Sequence, residues 1–89
     1  MKKLIIDTDI GTDVDDLWTL AVAVGRSDVD LAAVTVVYGD VGLRARLASL
    51  ALTGMGVSVP VARGIGDPMS GKEVMWAGFE GVGVPELDN

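Results

Sequence analysis

The sequence contains no cysteine and no histidine. Without cysteine there is no disulfide framework and no thiolate metal site, and a reducing cytoplasm is the expected compartment. Positive charge is also scarce: seven Lys and Arg stand against thirteen Asp and Glu, a net charge of −6 with an isoelectric point near 4.2. That balance argues against nucleic acid or an anionic membrane as partner and suits a cation ligand. Long apolar runs are absent too. Met-Lys-Lys precedes only three apolar residues before Asp7, too few for a signal-peptide core. The longest run, Leu17 to Val24, is interrupted by Thr19 and is far short of a membrane span.

What is present is unusually apolar for its length. Of 89 residues, 49% are hydrophobic and the mean hydropathy is +0.44. So short a chain buries only about 60–65% of its unfolded surface. The composition suits part of a larger α/β protein whose strands are covered on both faces, and a fragment is the expectation.

Along the chain, Leu4 to Ile6 reads as a strand ending in an acidic, Gly-containing turn. Residues 13–24 predict a helix with Asp13 as N-cap, Asp15 and Asp16 in its first turn, and Gly25 closing it. Leu17, Leu20, Ala21 and Val24 recur at helical spacing as its apolar face. Leu31 to Tyr38 is nearly continuous and β-branched, as in a central parallel strand. Residues 41–53 predict a second helix, with Arg44 and Arg46 on its polar side and Gly54 and Gly56 ending it. Val57 to Ala62 predicts a third strand, in which Pro60 marks an edge or an early end.

The order β-α-β-α-β over residues 1–63 predicts a parallel open sheet with right-handed crossovers. Residues 64–89 hold six of the twelve glycines and two of the three prolines, and read as a glycine-rich loop region. Gly64-Ile65-Gly66 reads as plain loop. Trp18, Met55, Met69, Met75 and Trp76 read as packing residues.

Chemistry concentrates between Asp7 and Asp16, where five carboxylates fall within ten residues: Asp7, Asp9, Asp13, Asp15 and Asp16. Residues two apart on a strand share a face, so Asp7 and Asp9 are expected to project together from its carboxyl end, where open α/β sheets place ligands. Asp15 and Asp16 face the same turn from the helix. Converging carboxylates call for a positive charge, and a hard divalent cation prefers such oxygen ligands. On spacing alone, helix capping accounts for Asp13, Asp15 and Asp16 about as well. An EF-hand is excluded, because its glycine and glutamate positions counted from Asp7 hold Thr12 and Trp18. A dinucleotide fingerprint is excluded because Gly11 is the turn's single glycine. The apolar strand running into Asp7-x-Asp9 also resembles the haloacid dehalogenase-type phosphotransferases, with Asp7 as nucleophile and Asp9 as acid/base. That alternative leaves Asp15-Asp16 without a role.

The whole stretch Asp7-Thr-Asp-Ile-Gly-Thr-Asp-Val-Asp-Asp-Leu17 resembles the N-terminal signature of the inosine/uridine-preferring nucleoside hydrolases, Asp-x-Asp-x-Gly, a spacer and Asp-Asp. The likeness continues through Val34-Thr-Val-Val-Tyr-Gly-Asp-Val41, and less sharply through Val59 to Gly64 and Trp76 to Gly83. It implies that residues 1–89 are the N-terminal part of a single, longer Rossmann-like domain. It implies hydrolysis of the N-glycosidic bond of ribonucleosides to ribose and free base, in the cytoplasm. Asp9 would be a Ca²⁺ ligand and the general base towards the water that the ion holds. Asp16 would be a bidentate Ca²⁺ ligand, Asp15 would hold a ribose hydroxyl, and Asp7 would support the site from behind and is a third candidate ligand of the ion. Asp40, in a turn where many members carry Asn, is a further ribose-binding candidate. Phe79 stands where many carry His, so that acid is not supplied here, and Glu80 reads as a solvated loop residue. The expected partner is a small nucleoside, with assembly into a homo-oligomer. A truncated, non-catalytic fragment that self-associates through exposed sheet edges is the non-enzymatic alternative.

Overall fold

Three parallel strands and two helices alternate along the chain, and the computed structural model describes residues 1–11 and 14–72. Strand β1 (Lys2–Thr8) leads to helix α1 (Asp15–Gly25), β2 (Val29–Val36), α2 (Val41–Gly54) and the short β3 (Val61–Arg63). The sheet order is β1-β2-β3, which makes the β-branched run of β2 the central strand, as its sequence predicts. Two right-handed crossovers stepping the same way place both helices on one face, and α1 and α2 touch.

Alternation along the strands divides the two faces. Val34 and Val36 are wholly buried, and Ile6 and Thr8 lie opposite them in register. These residues join Ile10, Leu20, Ala48 and Leu52 around the core that the helices cover. Ile5 and Asp7, one residue out of phase, lie opposite Ala33 and Thr35, and both are exposed. The ladder is not regular throughout. Leu4 pairs with Leu31 but Ile5 pairs with Ala33, so Ala32 is an extra residue on β2.

Several expectations are corrected by packing. β3 begins at Val61 rather than Val57, because Pro60 has no N–H to give the ladder, although its carbonyl accepts from the Val34 amide at 2.9 Å. Val57 and Val59 still pack against the core. α1 begins at Asp15, and its N-cap residue, Val14, makes no side-chain capping bond. The capping role expected of Asp13 lies outside the described residues, as do Met75, Trp76, Phe79 and Glu80.

Trp18 does not enter the core; it is 71% exposed, on the same outward stripe as Val14 and Val22. Of the expected apolar face of α1, Leu20 is buried and Val24 half-buried, while Leu17 and Ala21 are exposed. Met69 is fully exposed rather than packed. Arg44 is not on a polar side: it is 3% exposed, on the same stripe as Ala48 and Leu52. None of the described helices is long and apolar enough to cross a membrane.

Candidate active site at the strand ends

The carboxyl ends of the three strands meet the amino ends of both helices, and the acidic turn lies there. β1 ends at Thr8, which buries its side chain against the core. Its hydroxyl donates to the Asp16 carboxylate at 2.7 Å and accepts the Ile10 amide at 3.1 Å. One side chain thus closes the turn after β1 and anchors the first turn of α1. Asp15 and Asp16 occupy that first turn, where the helix dipole favours negative charge.

Asp9 and Asp16 are brought together. A hydrogen bond to Asp16 raises the Asp9 carboxyl above the ordinary carboxylate range, with burial and the charge of Asp16 adding to the effect. The same hydrogen bond holds Asp16 below that range, and the Thr8 hydroxyl also favours its ionised form. A nearby guanidinium, that of Arg44, favours the ionised form of both.

Arg44 extends from α2 beneath the acidic turn. Its guanidinium donates to the backbone carbonyls of Asp9 at 2.7 Å and Ile10 at 3.1 Å, and to that of Tyr38 at 2.6 Å. Its Cζ lies 5.9 Å from the centre of the Tyr38 ring, within cation–π range. Tyr38 has φ 76°, a left-handed conformation that costs a bulky residue energy unless its surroundings hold it. Those surroundings are Arg44 on one side and the exit of β3 on the other, where Tyr38 and Gly39 donate to the carbonyls of Ile65 and Gly66. A Cβ on Gly64 would meet the Val36 carbonyl at 2.6 Å, and one on Gly66 would strike that of Gly39. Gly64 and Gly66 therefore permit a close backbone approach, which reading them as plain loop does not reveal.

The other candidates are placed as follows. Asp7 turns to the open face of the sheet and accepts the Thr35 hydroxyl at 2.6 Å. Asp15 is exposed, and its carbonyl accepts the Thr19 hydroxyl at 3.1 Å. Asp40 is the N-cap of α2, its Oδ1 accepting the Leu43 amide at 3.0 Å. Among the described residues no group of three or more His, Cys, Asp and Glu side chains gathers as a metal cluster. The Asp9–Asp16 pair nevertheless offers a donor set of carboxylate oxygens, the type hard divalent cations prefer.

Thr8, Thr35 and Arg44 are the residues that sequence reasoning passes over. Arg44 carried a usable signal, since it precedes Ala48 and Leu52 by four and eight residues and so shares their stripe. Thr8 and Thr35 carried none that separates them from ordinary strand threonines.

No curated protein gives a significant match to this sequence. The family model described as inosine-uridine preferring nucleoside hydrolase matches residues 4–88. That span takes in all of the strands and helices described above except the first two residues of β1, the acidic turn included, and the chain belongs to this family.

Proposed function

We propose that this chain carries the metal- and sugar-binding half of a nucleoside hydrolase site, one that cleaves the N-glycosidic bond of ribonucleosides to ribose and free base. The observation carrying the reading is the Asp9–Asp16 pair, two carboxyl groups in hydrogen-bond contact at the carboxyl end of a parallel sheet. Two carboxylates this close repel one another and gain when a cation sits between them, and their oxygen atoms fit Ca²⁺. Asp9 and Asp16 would hold the ion. When bound, Ca²⁺ would supply a fixed positive charge that orients the sugar and makes the attacking water more acidic.

Asp9 accepts the proton of that water as its oxygen bonds to the sugar carbon and the bond to the base breaks. Its carboxylate beside the sugar also favours the positive charge that develops there, as paired carboxylates do in glycosidases. The hydrogen bond with Asp9, and then the Thr8 hydroxyl, favour the ionised form of Asp16. Asp15, exposed on the first turn of α1, holds a ribose hydroxyl. Asp7 supports the end of β1 through Thr35, and Asp40 flanks the opening from α2. No histidine of this chain protonates the leaving base.

The test is release of ribose from inosine and uridine by the full-length protein, with Ca²⁺ and with chelator. Loss of activity by about 10²–10⁴-fold in Asp9→Asn is expected for removal of a general base. Phosphate release from a phosphoester without ribose release from either nucleoside would overturn the reading in favour of the phosphotransferase alternative.

A further inference from the structure

We infer that Arg44 is a positioning residue for this site, a guanidinium clamp that fixes the turn bearing Asp9 against the turn bearing Tyr38 and Asp40. The inference rests on the proposed function for its meaning but on separate observations for its geometry. Arg44 is one of two buried polar residues among those described, and a buried guanidinium is costly unless its donors are satisfied. Here they serve the backbone of two different loops. One N–H group reaches Tyr38 after β2, and Nη1 reaches both Asp9 and Ile10 after β1. The fork of an arginine joins them at fixed separation, which the single ammonium of a lysine does not.

The three hydrogen bonds described are to carbonyls, so the clamp sets where the backbone of Asp9 lies without using up its carboxyl. The strained turn at Tyr38 is held by the same group, through its carbonyl and its ring. Arg44 therefore controls the distance between the turn that carries Asp9 and the turn that carries Asp40. A side chain that orients ligands in this way usually affects metal affinity about 10–100-fold when lost.

Arg44→Lys and Arg44→Met are compared with wild type by Ca²⁺ calorimetry and by amide hydrogen exchange without metal. Arg44→Lys keeps charge and stem and is the milder test of folding. The expected result is Ca²⁺ affinity at least about tenfold weaker in both, with faster exchange at Ile10 and Gly39 and unchanged exchange at Val34 in the core of β2. A general loss of stability would instead speed Val34 equally, and would overturn the clamp. Ca²⁺ affinity within twofold of wild type in a folded Arg44→Lys would overturn it as well. If wild type binds no Ca²⁺, the functional reading fails, and the exchange pattern alone decides whether Arg44 clamps the two turns.

Discussion

Thr8 and Asp16 are joined by a hydrogen bond of 2.7 Å that ties the last residue of β1 to the first turn of α1. The same Thr8 oxygen accepts the Ile10 amide. Thr8→Val conserves shape but leaves a buried amide without its acceptor and a carboxylate without its donor. It should cost about 1–3 kcal/mol in denaturant unfolding. Thr8→Ser keeps both hydrogen bonds and should recover most of that loss. Equal stability of Val and Ser variants would show that the hydroxyl does not hold the turn.

Asp9→Asn should separate stability from function. The amide of Asn donates to Asp16 permanently, as the protonated Asp9 carboxyl does only at low pH. Asp9 has a raised folded value, so its contribution is complete below about pH 3.9 and is lost as pH rises through that raised value. Asp16 has a lowered one, so its contribution is complete above about pH 3.9 and is lost as pH falls through the lowered value. Without divalent cation, Asp9→Asn should therefore be more stable than wild type at pH 7, by about 0.5 kcal/mol after solvent screening. The two melting curves should converge as pH approaches 4. Adding Ca²⁺ should raise the Tm of wild type and leave that of Asp9→Asn unchanged.

Asp40 caps α2 and is also a candidate for the sugar, and two substitutions pull these roles apart. Asp40→Ala removes the cap and should cost about 1 kcal/mol in thermal unfolding. Asp40→Asn keeps a capping oxygen and should be nearly neutral for stability. A KM for inosine that rises in Asp40→Asn supports the sugar contact. A KM within twofold of wild type would leave Asp40 with the cap alone.

Gly64 should not tolerate a side chain. In Gly64→Ala the new methyl would sit 2.6 Å from the Val36 carbonyl and 3.0 Å from a methyl of Val37, forcing β3 away from β2. A loss of about 1–3 kcal/mol is expected from such overpacking. Gly54→Ala, which ends α2 with nothing within 4 Å of the added carbon, should instead gain up to about 1 kcal/mol. Similar melting curves for the two would refute the close approach.

The sequence conveys connectivity better than it conveys facing. The alternation of strand and helix is legible because β-branched runs and helical spacing differ strongly, and α2 was expected over 41–53 against Val41–Gly54 observed. α1 shows the limit. So many of its residues are apolar that two stripes satisfy the helical period, and the stripe holding Trp18 faces outward. Arg44 was misplaced for the opposite reason, since its charge outweighed a position that belongs to the buried stripe. Clustering of Asp residues pointed to the acidic turn. Strand and helix geometry brought Asp9 and Asp16 to one turn, but the Thr8 hydroxyl that ties Asp16 to the end of β1 could not be read from spacing.

The irregularity in the first ladder has a consequence for Asp7. Continued at the phase of its first three pairs, β1 would place Asp7 beside Val34, whose side chain points into the core. The extra residue, Ala32, advances β2 by one, so that Asp7 meets Thr35 and its hydroxyl instead. Leaving Ala32 out of the pairing thus keeps the carboxylate beside a hydrogen-bond donor instead of hydrocarbon. Deleting this one exposed alanine would straighten the ladder and still leave Asp7 opposite Thr35, because Leu31 would then run directly into Ala33, the partner of Ile5.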